Sequence, residues 1–239
     1  MRQRKYCYEW PRPGVTVDIA LFTVAGTLND LRLRVLLIER GEKPWRGQWA
    51  LPGGFVRENE DLAAAAMREL AEETGITDAT LEQVEAVGTP GRDTRGHVIT
   101  VVYAGLTAGD RHHLVARGDA RAARWFDVAG LEPLPTLAFD HADLLRRALR
   151  HLRRRLREAP ILFELLPEEF TLSELQALTE TILGQQLDRR NFRRKVQDLG
   201  LVAPAAGMRA LGGHRPAQLY RFVAKAFDRY AFREQQSPF

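Results

Sequence analysis

The stretch LPGGFVRENEDLAAAAMRELAEETGI (residues 51–76) decides the fold of the first half of this chain. It joins a Gly-Gly turn to an alanine-rich segment that carries glutamates at positions 69, 72 and 73. On an α-helix these carboxylates stand at i, i+3 and i+4, so all three lie on one face. Adjacent carboxylates repel one another unless a cation lies among them. The pattern therefore indicates a site for a divalent metal such as Mg²⁺ or Mn²⁺, which prefer oxygen ligands.

The same helix has an apolar side and a defined end. Gly75 is typical of a residue that stops a helix in the left-handed conformation, so we expect the helix to end near Thr74. Arg68 lies one turn before Glu72 and can hold its carboxylate in place. The residues predicted to pack against a sheet are Leu62, Ala63, Ala66, Met67 and Leu70.

The composition excludes several classes of protein. With 239 residues, of which 45% are hydrophobic, the chain can form one large or two ordinary domains and is not intrinsically disordered. A single cysteine, Cys7, excludes an internal disulfide framework. No segment approaches the about 18 consecutive apolar residues of a membrane span, and residues 1–14 lack the apolar core of a signal peptide. We therefore predict a cytoplasmic protein.

The charge is divided unevenly along the chain. Residues 1–150 contain 20 Lys and Arg against 21 Asp and Glu, whereas residues 151–239 contain 15 against 10. The two parts therefore have formal charges of −1 and +5, which together give the +4 of the whole chain. A neutral first part and a basic second part suggest two modules. The second either binds an acidic partner or has a solvated basic surface.

Alternating apolar residues predict strands on both sides of the acidic helix. Strands and helices in this order predict an α/β or α+β sandwich. A further helix is expected to begin after Asp140, which stands in an N-cap position, and prolines at 133, 135 and 160 punctuate the chain around it. The predicted strands are 15–24, 31–40, 49–56 (interrupted at the Pro-Gly-Gly turn), 81–87, 97–106 and 124–128.

Two short helices are predicted in the basic part, within FTLSELQALTETILGQQLDRRNFRRKVQDLGLV (residues 170–202). Thr171 and Glu174 have the spacing of a capping box, which marks the start of the first helix. Asp188 stands in the N-cap position of the second helix, which we expect to run to Leu199. A helix–turn–helix of this size is a common DNA-binding unit.

The second of these helices is basic on the side opposite its apolar residues Phe192 and Val196. It resembles the recognition helix that a helix-turn-helix places in the major groove of DNA. A short helix at 161–166 and a turn and strand at 212–223 complete the pattern of the winged variety, with a solvated basic face as the alternative. The candidate DNA contacts are Arg189, Arg190, Asn191, Arg193, Arg194 and Lys195 on the helix, and His214 and Arg215 on the wing.

The first half resembles the Nudix family. Gly54, Glu60 and the segment RELAEETGI (residues 68–76) have the spacing of the Nudix box and match every position that defines it. The resemblance implies a Nudix sandwich that binds a divalent metal and a nucleoside diphosphate linked to another moiety. It gives Glu60 a supporting role. It implies the metal ligands Gly54 (through its carbonyl), Glu69, Glu72 and Glu73, and the catalytic residues Arg68, Glu69, Glu72 and Glu73.

The loop GTPGRDTRGH (residues 88–97) connects two predicted strands, where a loop that selects the ligand is expected. The chain has a proline downstream of the box, Pro90, and in this feature it resembles the branch of the family that handles ADP-ribose. Arg57, Arg92 and Arg95 are the candidates for contacts with ligand phosphates, because arginine binds phosphate through paired hydrogen bonds. The alternative for each arginine is a solvated loop charge.

Over its whole length the chain resembles the Nudix-related transcriptional regulators of the NrtR type. The resemblance rests on LLPEEFTLSEL (residues 165–175) and LDRRNFRRK (residues 187–195) together with the box. It implies a dimeric repressor of NAD-metabolism genes that binds a palindromic operator on double-stranded DNA. A Nudix domain (residues 1–156) would sense ADP-ribose or a related metabolite, and a winged helix-turn-helix (residues 157–239) would release the DNA through a hinge-type change.

Two other functions use the same features. An intact Nudix box also suits a Mg²⁺- or Mn²⁺-dependent ADP-ribose pyrophosphatase with a basic accessory domain. A hydrolase of RNA ends with a basic tail is disfavoured, because the chain lacks the surface platform of aromatic residues expected for single strands. The regulator is the prediction that accounts for both modules.

Overall fold

The computed structural model describes residues 9–108, 114–116, 118–131, 137–158, 161–209 and 216–224. His214 and Arg215, the predicted wing contacts, fall outside these residues, as do the three prolines at 133, 135 and 160. None of the helices in the described ranges is long and apolar enough to cross a membrane.

The described residues form ten strands and four α-helices. Two 3₁₀ turns lie at Val128–Leu131 and Ile161–Leu165. The helices are α1 (Leu62–Thr74), α2 (His141–Glu158), α3 (Leu172–Leu183) and α4 (Arg189–Asp198). The strands are β1 (Gly14–Ala25), β2 (Arg32–Arg40), β3 (Trp49–Ala50), β4 (Gly53–Phe55), β5 (Leu81–Val87), β6 (Val98–Thr107), β7 (Ala120–Asp127), β8 (Phe170–Thr171), β9 (Val202–Arg209) and β10 (Ala217–Phe222).

The first seven strands form one mixed sheet in the order β3–β2–β1–β6–β5, with β4 paired to β1 and β7 to β2. Strands β1 and β6 are parallel, and the other pairs are antiparallel. Successive side chains of β1 point to opposite faces. Val17, Ile19 and Leu21 pack with α1, whereas Ala20 and Phe22 pack with α2. The sheet is therefore covered by helices on both faces, which confirms the predicted sandwich.

Helix α1 packs on the sheet through Ala65, Ala66 and Leu70. The small alanine side chains let the helix lie close to the strands. The prediction that Ala63 belongs to this stripe is wrong, because Ala63 is exposed and Ala65 takes its place. The predicted end is confirmed: Gly75 has a φ of 81°, a left-handed conformation that glycine adopts at little cost.

The C-terminal part is a winged helix unit in which α3 and α4 pack with the sheet β8–β10–β9. The predicted capping box is present. The Thr171 hydroxyl accepts a hydrogen bond from the Glu174 N–H, and the Glu174 carboxylate accepts one from the Thr171 N–H. Asp188 caps α4 by accepting from the N–H of Asn191, and the helix ends beside Leu199 as expected.

Two elements of this part differ from the prediction. The helix expected at 161–166 is a 3₁₀ turn at Ile161–Leu165. Pro167 follows Leu166, the last residue of the predicted helix, and a residue before proline is disfavoured in the α conformation. Strand β9 has no counterpart among the predicted strands, because its exposed apolar residues do not alternate with polar ones.

One hydrophobic cluster connects the seven-stranded sheet to the winged helix unit. Helix α2 lies between them, and it continues to Glu158, two residues past the predicted domain boundary at 156. Because the buried side chains of these helices belong to one closely packed cluster, the position of each helix depends on the others. The helical members of the cluster are Leu144, Leu145, Ala148, Leu152 and Leu156 on α2, Leu172, Leu175, Leu178, Ile182 and Leu183 on α3, and Phe192 and Val196 on α4.

We expect Thr171→Ala to lower the free energy of unfolding by about 1 to 2 kcal/mol, because α3 loses the hydroxyl that caps its first turn. Urea denaturation of the full chain, followed by circular dichroism, measures the change. Thr171→Ser is the control, because it keeps the hydroxyl and should lose less stability. An equal loss in both variants would mean that the buried methyl group, not the cap, stabilises this helix.

Candidate functional site

A cavity of about 310 Å³ lies where the acidic face of α1 meets the Gly-Gly turn before it. Glu69, Glu72 and Glu73 line this cavity together with Gly53 and Gly54. Gly54 lies so close to Glu69 that an added Cβ would be 2.5 Å from a carboxylate oxygen. A side chain at position 54 would therefore displace the Glu69 carboxylate from its place beside the turn.

Arg68 connects the acidic residues of the box. Its Nε and Nη2 donate hydrogen bonds to Glu60 at 2.5 and 2.8 Å. Its Nη1 donates to Glu69 at 2.6 Å and to Glu72 at 3.2 Å, so the contact expected at i+4 is present. The hydrogen bonds from Arg68 lower the pKa of Glu60 to about 2. Glu60 thus anchors the guanidinium, and the guanidinium orients two of the three glutamates.

Glu73 is the buried member of the three glutamates, with 7% of its surface exposed. Its carboxylate accepts a hydrogen bond of 2.9 Å from the N–H of Gly53. Burial raises the pKa of Glu73 to about 8, and the negative charge of Glu69 adds to the shift, while the Gly53 N–H opposes it. A cation in the cavity would favour the charged form of this side chain.

The donors around the cavity match a divalent cation in kind, because carboxylates and backbone carbonyls are hard oxygen ligands. The backbone of Gly54 lies against the Glu69 carboxylate, so a carbonyl and a carboxylate come close together at this edge of the cavity. No three His, Cys, Asp or Glu side chains in the described ranges are already grouped around a single ion position. Arg57 and Arg68 hold Glu72, so a bound cation has to compete with these arginines for its carboxylate.

The three arginines predicted to bind the ligand all line this cavity. Arg57 donates to Glu72 at 3.0 and 3.2 Å. Arg92 is almost completely buried and donates through Nε and Nη2 to both oxygens of Asp140, at 2.9 and 2.8 Å. Its Nη2 also lies 3.6 Å from a carboxylate oxygen of Asp18. Arg92 is therefore part of a buried ion-pair network at the wall of the cavity.

Arg95 is placed differently, over two aromatic rings. Its Nη2 donates to Asp93 at 2.7 Å, and the side chain of Asp93 is buried. Its guanidinium carbon lies 4.8 Å from the centre of the Phe55 ring and 5.4 Å from that of Phe139. The side chain is 39% exposed. Of the three candidates, Arg57 is the most exposed at 61%, but both Arg57 and Arg95 are already paired with a carboxylate, Glu72 and Asp93 respectively.

The cavity also contains functional candidates that sequence reasoning missed, namely Asp18, Arg40, Phe139 and His141. The N–H of Leu51 donates to Nδ1 of His141 at 2.9 Å, so this nitrogen carries no proton. Burial lowers the pKa of His141, which favours a neutral ring with its proton on Nε2, 3.5 Å from Asp18. Asp18 is marked in the sequence as a charge within an apolar strand, but nothing local marks the other three.

Helix α4 presents most of the predicted DNA contacts to solvent. Arg193 is the exception, because it is partly buried and its Nη2 donates to the hydroxyl of Ser173 at 3.0 Å. Its Nε is buried without a hydrogen-bond partner, and burial lowers the pKa of the guanidinium. The exposed residues are Arg189, Arg190, Asn191, Arg194 and Lys195.

Comparison with known proteins identifies both parts of the chain. The NUDIX domain model matches residues 15–148, and the model of the NrtR DNA-binding winged helix domain matches residues 162–222. The ADPR responsive transcriptional repressor NtrR of Acinetobacter baylyi is 38% identical over 222 residues, which are 92% of this chain and 86% of the relative.

Two solved structures of Shewanella oneidensis NrtR are similar to the chain. The crystal structure of this protein complexed with a 27mer DNA is 33% identical, with a TM-score of 0.69 over 90% of this chain and 95% of that chain. The cocrystal structure of its NUDIX domain with ADP ribose is 35% identical, with a TM-score of 0.54 over 60% of this chain and 90% of that chain.

The raised pKa of Glu73 leads to a pH-dependent stability of the metal-free protein. A carboxyl whose pKa is raised by folding contributes its stabilisation below the unfolded value and loses it as the pH rises through the folded value. Between pH 4.5 and 8 the unmodified chain should therefore lose up to about a few kcal/mol that Glu73→Gln does not lose. Melting temperatures measured in EDTA across this range test the difference.

Glu72→Gln is the matched control, because Glu72 is exposed on the same face of α1. This variant should keep the pH dependence of the unmodified chain. Parallel curves for the unmodified chain and Glu73→Gln would contradict a raised pKa at Glu73.

Proposed function

This chain belongs to the NrtR family of Nudix-linked transcriptional regulators, and we propose that it is a DNA-binding repressor controlled by ADP-ribose. One observation carries the proposal: a cavity lined by the Nudix glutamates and a solvent-exposed basic helix occur in one chain, joined by one hydrophobic core. The similarity to a repressor named as ADPR responsive, and to a regulator solved with DNA and with ADP ribose, supports it. The regulated genes would be those of NAD metabolism, and the protein would act in the cytoplasm, with the DNA.

The proposed DNA-binding form is a homodimer on a palindromic operator. A two-fold dimer places two α4 helices in successive major grooves, about 34 Å apart. Each α4 would bring its exposed cations to the phosphates and base edges of one half-site. Arg193 stays in the proposed set, but its bond to Ser173 means that its loss should also affect how α4 packs. His214 and Arg215 are the proposed contacts of the wing.

The proposed effector site is the cavity beside the box. The diphosphate of ADP-ribose would face Glu69, Glu72 and Glu73, with Mg²⁺ or Mn²⁺ as the cation held by these side chains and by the carbonyl of Gly54. Such an ion neutralises phosphate charge. Arg95, held in position by Asp93 and partly exposed, would bind an anionic group of the ligand directly. Arg57 would contact the ligand after leaving Glu72, and Arg92 would act from the wall of the cavity.

The proposed division of the chain places the effector domain at residues 1–156 and the DNA-binding domain at residues 157–239. The proposal is supported by the matched ranges 15–148 and 162–222, which do not overlap, and by the end of α2 and the 3₁₀ turn that follow residue 148. A cut at this junction separates the two polar sites but divides the shared hydrophobic cluster. We therefore expect the full chain to be needed for a response to the effector.

We expect Arg194→Ala to weaken binding to a labelled duplex from upstream of the gene and to reduce the salt slope of binding by about 1, because one phosphate contact is lost. Binding of ADP-ribose should not change. Arg150→Ala, on the exposed side of α2, is the matched control and should leave both affinities as they are. Fluorescence anisotropy and isothermal titration calorimetry measure the two reactions. Equal loss of both in Arg194→Ala would contradict the separation of the two sites.

A second candidate function is favoured by the completeness of the box, in which Arg68 holds Glu60, Glu69 and Glu72 together. We propose that the cavity also hydrolyses ADP-ribose, adding one water across the diphosphate to give AMP and ribose 5-phosphate. Both candidates can hold for one protein, because they use the same cavity.

Hydrolysis is tested by following AMP formation with Mg²⁺ or Mn²⁺ present. We expect Glu72→Gln to reduce turnover by at least about tenfold, because the variant loses a charged oxygen ligand, and removal of the metal with EDTA to abolish it. Operator binding without effector should be unchanged in Glu72→Gln. Absence of AMP from the unmodified chain with either metal would reject the hydrolase and leave the sensor.

A further inference from the structure

The first residues of α2 and the residues before it form part of the wall of the ligand cavity. Phe139 and His141 line the cavity, and Asp140 between them accepts hydrogen bonds from Nε and Nη2 of Arg92. Phe139 has a φ of 53°, a conformation that is strained for a bulky side chain and that surrounding contacts must maintain. One such contact is Arg40, whose guanidinium carbon lies 4.9 Å from the centre of the Phe139 ring. A molecule that fills the cavity therefore meets the start of α2.

Helix α2 is attached to the Nudix sheet along its length. Arg155 donates to both oxygens of Glu82 on β5, at 2.7 and 2.8 Å. Arg147 donates to Glu85 on the same strand at 2.9 Å. The other face of the helix is buried in the shared hydrophobic cluster. Ion pairs on one side and close packing on the other oppose bending of this helix, so its two ends are mechanically connected.

The far part of α2 contacts the end of α3 through Arg153. Its Nε donates to the carbonyl oxygen of Ile182 at 3.0 Å. This carbonyl belongs to the last turn of α3, where backbone oxygens lack partners within the helix. A cation at this end also interacts favourably with the helix dipole. A Cβ on Gly184, the residue that ends α3, would lie only 2.8 Å from Nη2 of Arg153, so the two helices fit closely here.

The end of α3 is in turn tied to the start of α4. Glu180 accepts from the N–H of Leu187, at 2.8 Å, and from the side chain of Gln176, at 2.9 Å. The Gln176 amide also donates to the carbonyl of Leu187 at 3.1 Å. Leu187 directly precedes Asp188, the N-cap of α4. These bonds hold the turn, so a displacement of the end of α3 displaces the DNA-facing helix as well.

We infer that Arg153 is the positioning residue through which occupancy of the cavity is transmitted to α4. From His141 to Arg153 the helix spans about 18 Å, at 1.5 Å per residue. A shift of the segment 139–141 on ligand binding moves α2, changes the contact of Arg153 with Ile182, and turns α4 away from its DNA-binding position. Arg153 contacts neither ligand nor DNA in this scheme. The inference rests on the proposed function, because it takes ADP-ribose as the cavity ligand and DNA as the partner of α4.

The experiment measures three quantities for the full chain. They are the affinity for the labelled upstream duplex alone, the affinity for ADP-ribose without DNA, and the duplex affinity at saturating ADP-ribose. In the unmodified chain we expect ADP-ribose to weaken duplex binding by about 5- to 150-fold, the usual range of allosteric coupling. Arg153→Met keeps the apolar stem and removes the donors. It should retain the first two affinities and lose most of the weakening.

Two further variants make the result specific. Arg150→Met, on the exposed side of the same helix, should behave like the unmodified chain. Arg153→Lys keeps a charge and one donor within reach of the Ile182 carbonyl, so it should recover part of the response. A purely structural role of Arg153 would lower the melting temperature or both affinities without selectively removing the effect of ADP-ribose.

The outcomes separate this inference from the proposed function. If Arg153→Met releases the duplex as the unmodified chain does, the inference is wrong and the repressor stands. If both variants at 153 bind ADP-ribose but no longer bind the duplex, Arg153 builds the DNA-binding form and does not couple the sites, which also overturns the inference. If the unmodified chain and the Arg150 control both fail to respond to ADP-ribose, the proposed effector is wrong, and the inference falls with it.

Discussion

The mutual repulsion of three carboxylates on α1 is the constraint on which the Nudix half depends. Glu69, Glu72 and Glu73 can share one face only because other groups offset their charge. Arg68 binds two of them, and the third is buried with a raised pKa beside the N–H of Gly53. The turn before the helix must come close to supply that N–H, which is why glycines stand there. The cavity lies between this turn, the acidic face of α1 and the sheet.

The second half depends on a different constraint, the burial of α2 between two units. One face of α2 covers the Nudix sheet, and the cluster that it enters also contains the cores of α3 and α4. His141, at the start of this helix, lines the cavity, and Asp140 before it binds Arg92, which also lines the cavity. Since an apolar core of this kind is closely packed, the helix links the polar cavity with the basic surface of α4.

Local signals predicted most elements of the fold. The capping box at Thr171, the N-cap at Asp188 and the stop at Gly75 act within a few residues, so the sequence specifies them directly. The predictions were wrong where packing against distant parts of the chain determines which residues are buried. Ala63 and Ala65 are equally suited to face a sheet, and only the packing of α1 selects Ala65. A similar limit applies to the arginines, because a sequence does not show that Arg92 is paired with Asp140 and Arg95 with Asp93.

By itself the sequence determined the acidic helix with its three neighbouring carboxylates, and the basic helix of the second module. These follow from spacings of three and four residues on a helix, which need no distant partner. Only the tertiary structure decided which residues share the cavity, because Asp18 is far in sequence from Phe139 and His141 and meets them through the docking of α2 on the sheet. It also decided that Arg153 reaches Ile182, since this contact requires two helices to pack closely at one point.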